Sequence, residues 1–285
     1  MTQKIDTRAV GLDVGLAMIR WLTGAENLHY GLWTGLEVTA ANLRAAQEAY
    51  TVRLMAELPP GPLRILDIGG GAGETAKKLI AMGHKVEIVV PSAVLADCCR
   101  RNAPEAVVHQ CRFEDFTGSG PFDLCLFSES FQYMPMMDSL PRCAQILTPQ
   151  GQVLIADCFR TDAYLGRAEH GPQPGGGHRL SSFRAALTTT PFDVLLEQDI
   201  TAEVAPSVDL EQGLYNVLGM GLTRLGEELR AKKPGANWLV TRVIRLFLSR
   251  KRRENLVQRL TAQDRNSATF MIYNTYLIVR LAHKS

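Results

Sequence analysis

The segment ILDIGGGAGETA, residues 65–76, places four glycines within five residues, and it lies between two different periodicities. Residues 63–68 form a short apolar run opened by Pro62, the pattern of a buried strand. From residue 74 to 82, Ala76, Leu79, Ile80 and Met82 recur at helical spacing, and Gly83 stands where a helix stops. The glycines therefore occupy a strand-to-helix turn. A residue without Cβ accepts positive φ and lets a ligand approach the backbone, and a helix start presents unpaired N–H donors.

Two familiar ligands are excluded by spacing. The dinucleotide fingerprint G-x-G-x-x-G fails, because the sixth place counted from Gly69 is Glu74 and from Gly71 is Ala76. No G-x-x-x-x-G-K-[ST] occurs, so the turn is not a P-loop.

Downstream, short apolar runs at 86–90, 107–110, 122–127 and 153–157 alternate with the amphipathic stretches SAVLADCCRRN and DSLPRCAQILTPQG. Such alternation predicts an α/β fold, a doubly wound, mostly parallel sheet covered on both faces. Residues 38–58 read as a helix before this core. After it come a glycine- and proline-rich loop (EHGPQPGGGHRL), a sixth strand (PFDVLLEQDIT), a helical segment over 210–260 and a last strand (FMIYNTYLIVRL). The expected division is 1–62 as an N-terminal helical segment, 63–200 as the ligand-binding core, 201–265 as a helical insert and 266–285 as the last strand of the core.

Composition narrows the partners. Across 285 residues, 31 Lys and Arg face 29 Asp and Glu, so a phosphate-dominated partner such as a nucleic acid is not expected. The six cysteines include no C-x-x-C pair, the usage of a reduced, cytoplasmic chain without a zinc site or disulfide frame. Asp13 and Arg20 interrupt the apolar residues of the N-terminus, which reads as neither a signal sequence nor a membrane span.

The spacing Asp67-x-Gly69-x-Gly71-x-Gly73, with the acid inside the strand end, resembles the first motif of class I S-adenosylmethionine-dependent methyltransferases. LHYGLW, residues 28–33, resembles an N-terminal motif of members acting on sterols, prenylated quinols and other lipophilic natural products, and LTPQGQVLIAD resembles the entry to the family's fifth strand. The resemblance implies a seven-stranded sheet with an antiparallel last strand. It also implies S-adenosylmethionine bound at Asp67, Gly69, Gly70, Gly71 and Gly73, with residues 28–33 as a gate that brings Tyr30 to the cofactor carboxylate or the substrate. The helical insert is long enough to serve as a lid.

Two places depart from the family pattern. The acid expected to hold the ribose hydroxyls falls on Val90, with Glu87 three residues too early on the opposite strand face, and Ser92 offers only a hydroxyl. After the third strand, Arg112-Phe113 replaces an acid and a small residue. Phe113 reads equally as a flank for adenine or as core. Two interpretations stay open: the cofactor is held by other contacts, or the site has drifted.

Methyl transfer asks the protein to align an acceptor, exclude water and sometimes remove a proton, and no metal is expected. Glu129, in the loop SESFQYM after the fourth strand, is the leading catalytic candidate, against the plainer reading of a solvated loop acid. Gln132 and Tyr133 are candidates for substrate contact. His29 is a second candidate base, against simple packing of the N-terminal segment. His178 reads as a surface histidine, and Asp157 and Asp199 as strand-end acids that border the pocket or cap the next turn. Residues 238–253 combine an apolar helical face with the basic cluster Arg250–Arg253, which suits a lid helix better than a peripheral membrane contact. The expected function is methylation of a small, lipophilic metabolite at carbon or oxygen. The alternatives are a cyclase or isomerase that binds S-adenosylmethionine without transferring its methyl, and a non-catalytic binding protein. The acceptor and the oligomeric state are left open.

Overall fold

A computed structural model describes residues 7–118, 120–164, 176–236, 238–239, 242, 249–261 and 265–284. Its centre is a seven-stranded sheet made of β1 (Arg64–Ile68), β2 (Lys85–Val89), β3 (Val107–His109), β4 (Phe122–Ser128), β5 (Leu147–Arg160), β6 (Phe192–Asp199) and β7 (Asn274–His283). The order across the sheet is β3-β2-β1-β4-β5-β7-β6, with β7 antiparallel to both neighbours and the other pairings parallel. The doubly wound sheet and its antiparallel last strand are those expected from the sequence.

Side chains alternate between the two faces, and each face meets its own helices. On one face Ile65, Leu124, Leu126, Leu154, Tyr276 and Ile278 pack with Tyr50 and Leu54 of the helix Leu43–Met55. On the other, Leu66, Phe127, Ile155 and Val279 pack with Phe183 and Leu140. Because both faces are covered, the central strands are apolar at successive positions rather than at alternate ones.

Two predicted boundaries shift. The last strand was expected over 270–281, but Ser267–Tyr273 is helical and β7 begins at Asn274. The Asn266 side chain accepts the Thr269 N–H at 2.9 Å and caps that helix, and Phe270 drops fully into the core. β5 runs from Leu147 to Arg160, well beyond the predicted five residues, because β7 pairs with its entire second half. The expected helical segment comprises the helices Pro206–Lys232 and Arg250–Thr261. Most of the predicted glycine- and proline-rich loop, and Val243, Leu246 and Phe247 of the predicted apolar face, lie outside the described residues.

The chain reverses direction across the sheet between β1 and β4, so the carboxyl ends of these strands form the topological switch point. The glycine turn follows β1 and the Glu129 loop follows β4. Gly73 closes the turn at φ +87° and starts the helix Glu74–Ala81. A Cβ there would stand 2.9 Å from the Cys99 Cα of the neighbouring helix. Gly83 has φ +91° too, but a Cβ would meet only open space. Gly83→Ala is therefore expected to cost about 1–2 kcal/mol, the left-handed penalty alone, and Gly73→Ala about 2–5 kcal/mol, because overpacking adds to it. Urea unfolding of the two variants checks the difference, and equal losses would refute the helix-contact explanation.

Candidate functional site

Beneath the glycine turn lies Asp67, on a fully buried stretch of β1 and only 1% exposed. Its Oδ2 has no hydrogen-bond partner, and burial pushes its carboxyl up to about 7. A Cβ on Gly70 would stand 2.6 Å from that oxygen and 2.8 Å from Ile88 Cγ2, so the close approach requires glycine. A Cβ on Gly69 would collide with Ser130. Three of the four glycines thus answer to internal contacts. Gly71 differs: a Cβ built there would make only an ordinary contact, with Leu28 Cδ1 at 4.0 Å, so this side of the turn has room for a Cβ but is bounded by Leu28.

The other predicted cofactor residues are placed as follows. Val90 is buried at the end of the β2 segment. Glu87 is committed elsewhere, accepting Arg64 Nη2 at 2.6 Å on one oxygen and lying 2.8 Å from His109 Nε2 with the other. Ser92 caps the next helix by accepting the Leu95 N–H. The Phe113 ring is 2% exposed and packs edge-on to Phe127 and beside Phe116, which puts it in the core.

Across the switch point, Glu129 has φ 54°, left-handed backbone that costs a non-glycine residue about 1–2 kcal/mol. Its N–H donates to Ala156 O at 2.8 Å, which ties the turn to β5. Glu129 Oε1 accepts the Tyr30 N–H at 2.7 Å and the Tyr276 hydroxyl at 3.0 Å. Its other oxygen has no partner among the described residues. Burial, with help from the nearby Asp157 carboxyl, outweighs these donors and lifts the Glu129 carboxyl to about 8. Glu129 is therefore not the solvated loop acid of the plainer reading.

Glu129 lines a cavity of about 1030 Å³ together with His29, Tyr30, Gln132, Tyr133 and Tyr276. The structure so brings together the four predicted catalytic and substrate residues, Glu129, His29, Gln132 and Tyr133, with Tyr30 beside them, while Leu28 lies between this group and Gly71. Apolar walls come from the helices Thr7–Thr23 and Pro206–Lys232, through Met18, Ile19, Leu22, Leu214 and Val217. The gate segment and the insert are joined directly. Gly31 N and Trp33 Nε1 both donate to Ser207 Oγ, at 3.0 and 2.8 Å, and Trp33 N donates to Glu203 O.

His29 is poorly suited to act as a base. Nδ1 lies 2.8 Å from Tyr30 O, Nε2 lies 3.3 Å from Thr51 Oγ1, and the ring stacks on Tyr50 with centroids 4.4 Å apart. Burial lowers its pKa to about 4. The Tyr30 ring packs edge-on to Phe270 in the cavity wall. His178, expected on the surface, is half-buried, with Nε2 3.1 Å from Phe131 O. Asp157 is fully buried and accepts Gln132 N and Cys158 N at 3.0 and 2.7 Å, so it shapes the Glu129 loop. Asp199 holds Thr201 and Thr275. Among the described residues no three His, Cys, Asp or Glu side chains gather as a metal site, and no helix is long and apolar enough to cross a membrane.

Sequence reasoning missed Tyr276 and Ser207. Tyr276 sits in a run read only as strand, and the sole available signal was a hydroxyl on an alternate position of a core strand. Its OH meets Tyr50 OH at 2.8 Å, and Tyr50 reaches Ser128 at 3.2 Å, so a chain of hydroxyls backs Glu129.

Unfolded carboxyls ionise near pH 4. The folded protein keeps the protons of Asp67, Asp157 and Glu129 to about 7, about 7 and about 8. Between these limits the three protonated acids outweigh the protons that buried His29 and His84 give up on folding, so the folded state binds more protons than the unfolded one and stability falls as pH rises. The ligand-free protein is expected to lose melting temperature from about pH 5 to about pH 8. Glu129→Gln cannot ionise and should show a shallower fall in the same scan, whereas identical slopes would show that Glu129 titrates normally.

Comparisons with known proteins show what the chain is similar to. Residues 65–151 match a family described as a methyltransferase domain. The tRNA 5-carboxymethoxyuridine methyltransferase of Escherichia coli K12 is 33% identical over 90 residues, 29% of this chain and 34% of that protein. The ubiquinone biosynthesis O-methyltransferase of Xanthomonas axonopodis pv. citri is 26% identical over 141 residues, 45% of this chain and 59% of that protein. The chain thus matches between about a third and three-fifths of the length of these relatives. A cyclopropane synthase structure from Mycobacterium tuberculosis superposes with a TM-score of 0.66 at 19% identity, covering 99% of this chain and 100% of that one. Residues 65–151 are thus similar to the methyltransferase domain family, and the described chain around them shares the fold of that solved structure.

Proposed function

We propose that this protein is an S-adenosylmethionine-dependent methyltransferase acting on a small, largely apolar acceptor at carbon or oxygen. One juxtaposition carries the reading. On one side of the switch point a buried Asp67 carboxyl, unpartnered among the described residues, lies under a glycine turn that is least crowded at Gly71. On the other, Glu129 lines a large, mainly apolar-walled cavity with a carboxyl oxygen to spare. The residues that would hold the cofactor are Asp67 and the turn Gly69 to Gly73, with the hydroxyl proton of Ser92, whose oxygen caps the helix after β2, available beside them. An unpartnered buried carboxyl oxygen suits an ammonium group such as that of the cofactor's amino-acid end. When bound, the cofactor supplies an activated methyl group on sulfonium.

The chain's own residues do the rest. Leu22, Val38, Leu214 and Val217 line a space that favours apolar surface over water. Gln132, fixed through its backbone by Asp157, and Tyr133 present polar atoms for orientation. Glu129, with a carboxyl near 8, can hold or take a proton at its free oxygen close to neutral pH, the condition that favours general acid–base work. In its ionised form it stabilises the positive charge left on the neighbouring carbon when an alkene carbon takes the methyl group.

A deep cavity lined by the gate segment and the insert supports a small molecule over RNA, and the tRNA-modifying relative is matched over 90 residues only. Five buried free cysteines and one half-buried one support a cytoplasmic location. Trp238 and Leu239 are each more than half exposed, which supports a peripheral lipid contact at the start of residues 238–253.

Calorimetry with S-adenosylmethionine and S-adenosylhomocysteine is expected to show binding to the purified chain. Gly71→Arg should abolish it by filling the least crowded side of the turn, and no heat from the parent with either compound overturns the proposal. Glu129→Gln is expected to lower kcat about 100- to 10,000-fold with cofactor affinity unchanged. Methylation of an identified acceptor at the parental rate would make Glu129 a bystander. Cofactor binding accompanied by a rearranged but unmethylated product would favour the cyclase reading.

A further inference from the structure

Besides Glu129, the cavity is lined by four charged side chains, Arg160, Asp209, Glu211 and Arg265. Three of them are satisfied within the protein. Arg265 Nη2 donates to Glu211 Oε2 at 2.9 Å, and the other Glu211 oxygen pairs with Arg259 at 3.2 Å. Asp209 Oδ1 accepts the Ser267 N–H at 2.8 Å. These two acids and two arginines balance one another. Arg160 stands outside the balance. Its guanidinium carbon lies 4.5 Å from the centroid of the Tyr164 ring, and among the described residues it has no ion pair and no side-chain hydrogen bond.

The position of Arg160 is well determined. It ends β5 opposite Asn274 of β7, and its N–H donates to His178 O at 2.8 Å. Tyr164, which backs it, is 8% exposed, and its carbonyl accepts Arg179 Nη2. A guanidinium stacked on an aromatic ring keeps its planar edge of N–H donors free, and that edge matches the two oxygens of a carboxylate or phosphate. Burial further reduces the negative charge in the cavity by keeping the Glu129 carboxyl largely protonated at neutral pH.

We infer that the acceptor is an amphiphile with an anionic group, a carboxylate or a phosphate, bound by Arg160. This rests on the proposed function above and names the substrate class of that same cavity. Arg160 lies four residues beyond Ala156, whose carbonyl holds the Glu129 backbone, a separation of roughly 13 Å along the strand. Arg160 and Glu129 therefore address different parts of one molecule, with apolar walls contacting the rest.

The test uses three probes of one chain length, decanoate, decyl phosphate and decan-1-ol, titrated calorimetrically into the purified chain below their aggregation limits. At least one anionic probe is expected to bind about 10- to 100-fold more tightly than the alcohol, the range of a charge-assisted pair, and the preference should shrink with added salt. The carboxylate and phosphate arms identify which anion the site takes. Arg160→Gln should bring the anionic probe down to the alcohol, Arg160→Lys should keep part of the preference, and Arg250→Gln, on the exposed helix, should leave it intact. Equal affinity for charged and neutral probes, no binding of either anion, or a preference that survives Arg160→Gln overturns the inference. S-adenosylhomocysteine titrated into the same samples separates the two readings. Its failure to bind the parent would remove the methyltransferase proposal while the anion preference stands, and normal binding in Arg160→Gln shows that only the acceptor side has changed.

Discussion

One carboxylate oxygen connects the parts of this site. Glu129 Oε1 accepts from the backbone of the gate segment at Tyr30 and from the hydroxyl of Tyr276 on the last strand, while the Glu129 backbone is tied to β5. Three segments far apart in sequence meet there. The contact also explains the left-handed backbone of Glu129, since the surrounding hydrogen bonds hold it in a conformation that a free loop would leave. Because all the donors converge on one oxygen, the other remains available to the cavity.

The same logic separates the three buried acids at the strand ends. Asp67, Asp157 and Glu129 are all desolvated and all resist ionisation. Their partners assign them different work. Asp157 accepts backbone N–H groups and is structural. Asp67 has an unpartnered oxygen under the glycine turn, and Glu129 has its spare oxygen at the cavity. A buried carboxyl without a full set of donors is costly in the absence of a ligand, and such sites are where function concentrates.

The gate and the insert behave as one cover. Ser207 receives two donors from residues 31 and 33, so the start of the helix Pro206–Lys232 and the LHYGLW segment are fastened together. The cavity lies under that cover, and the glycine turn lies on the other side of Leu28.

The strand-to-helix turn, the parallel alternation and the apolar core strands were legible from residues 63–159, because they follow from local periodicity and glycine placement, which a linear reading captures. Glu129, Gln132 and Tyr133 were legible for the same reason: a loop at the carboxyl end of a central strand must face the crevice. The tertiary structure decided what depends on neighbours remote in sequence. It gave His29 two partners and a stacked ring, which suits it poorly to act as a base, and it placed the Phe113 ring in the core. It committed Glu87 to Arg64 and His109, leaving no acid at the Val90 place. It brought Tyr276 to Glu129 across 147 residues and left Arg160 without a counter-charge among the described residues. Burial and hydrogen bonding are properties of three-dimensional surroundings, so the protonation and availability of a side chain emerge only when the chain is closed around it.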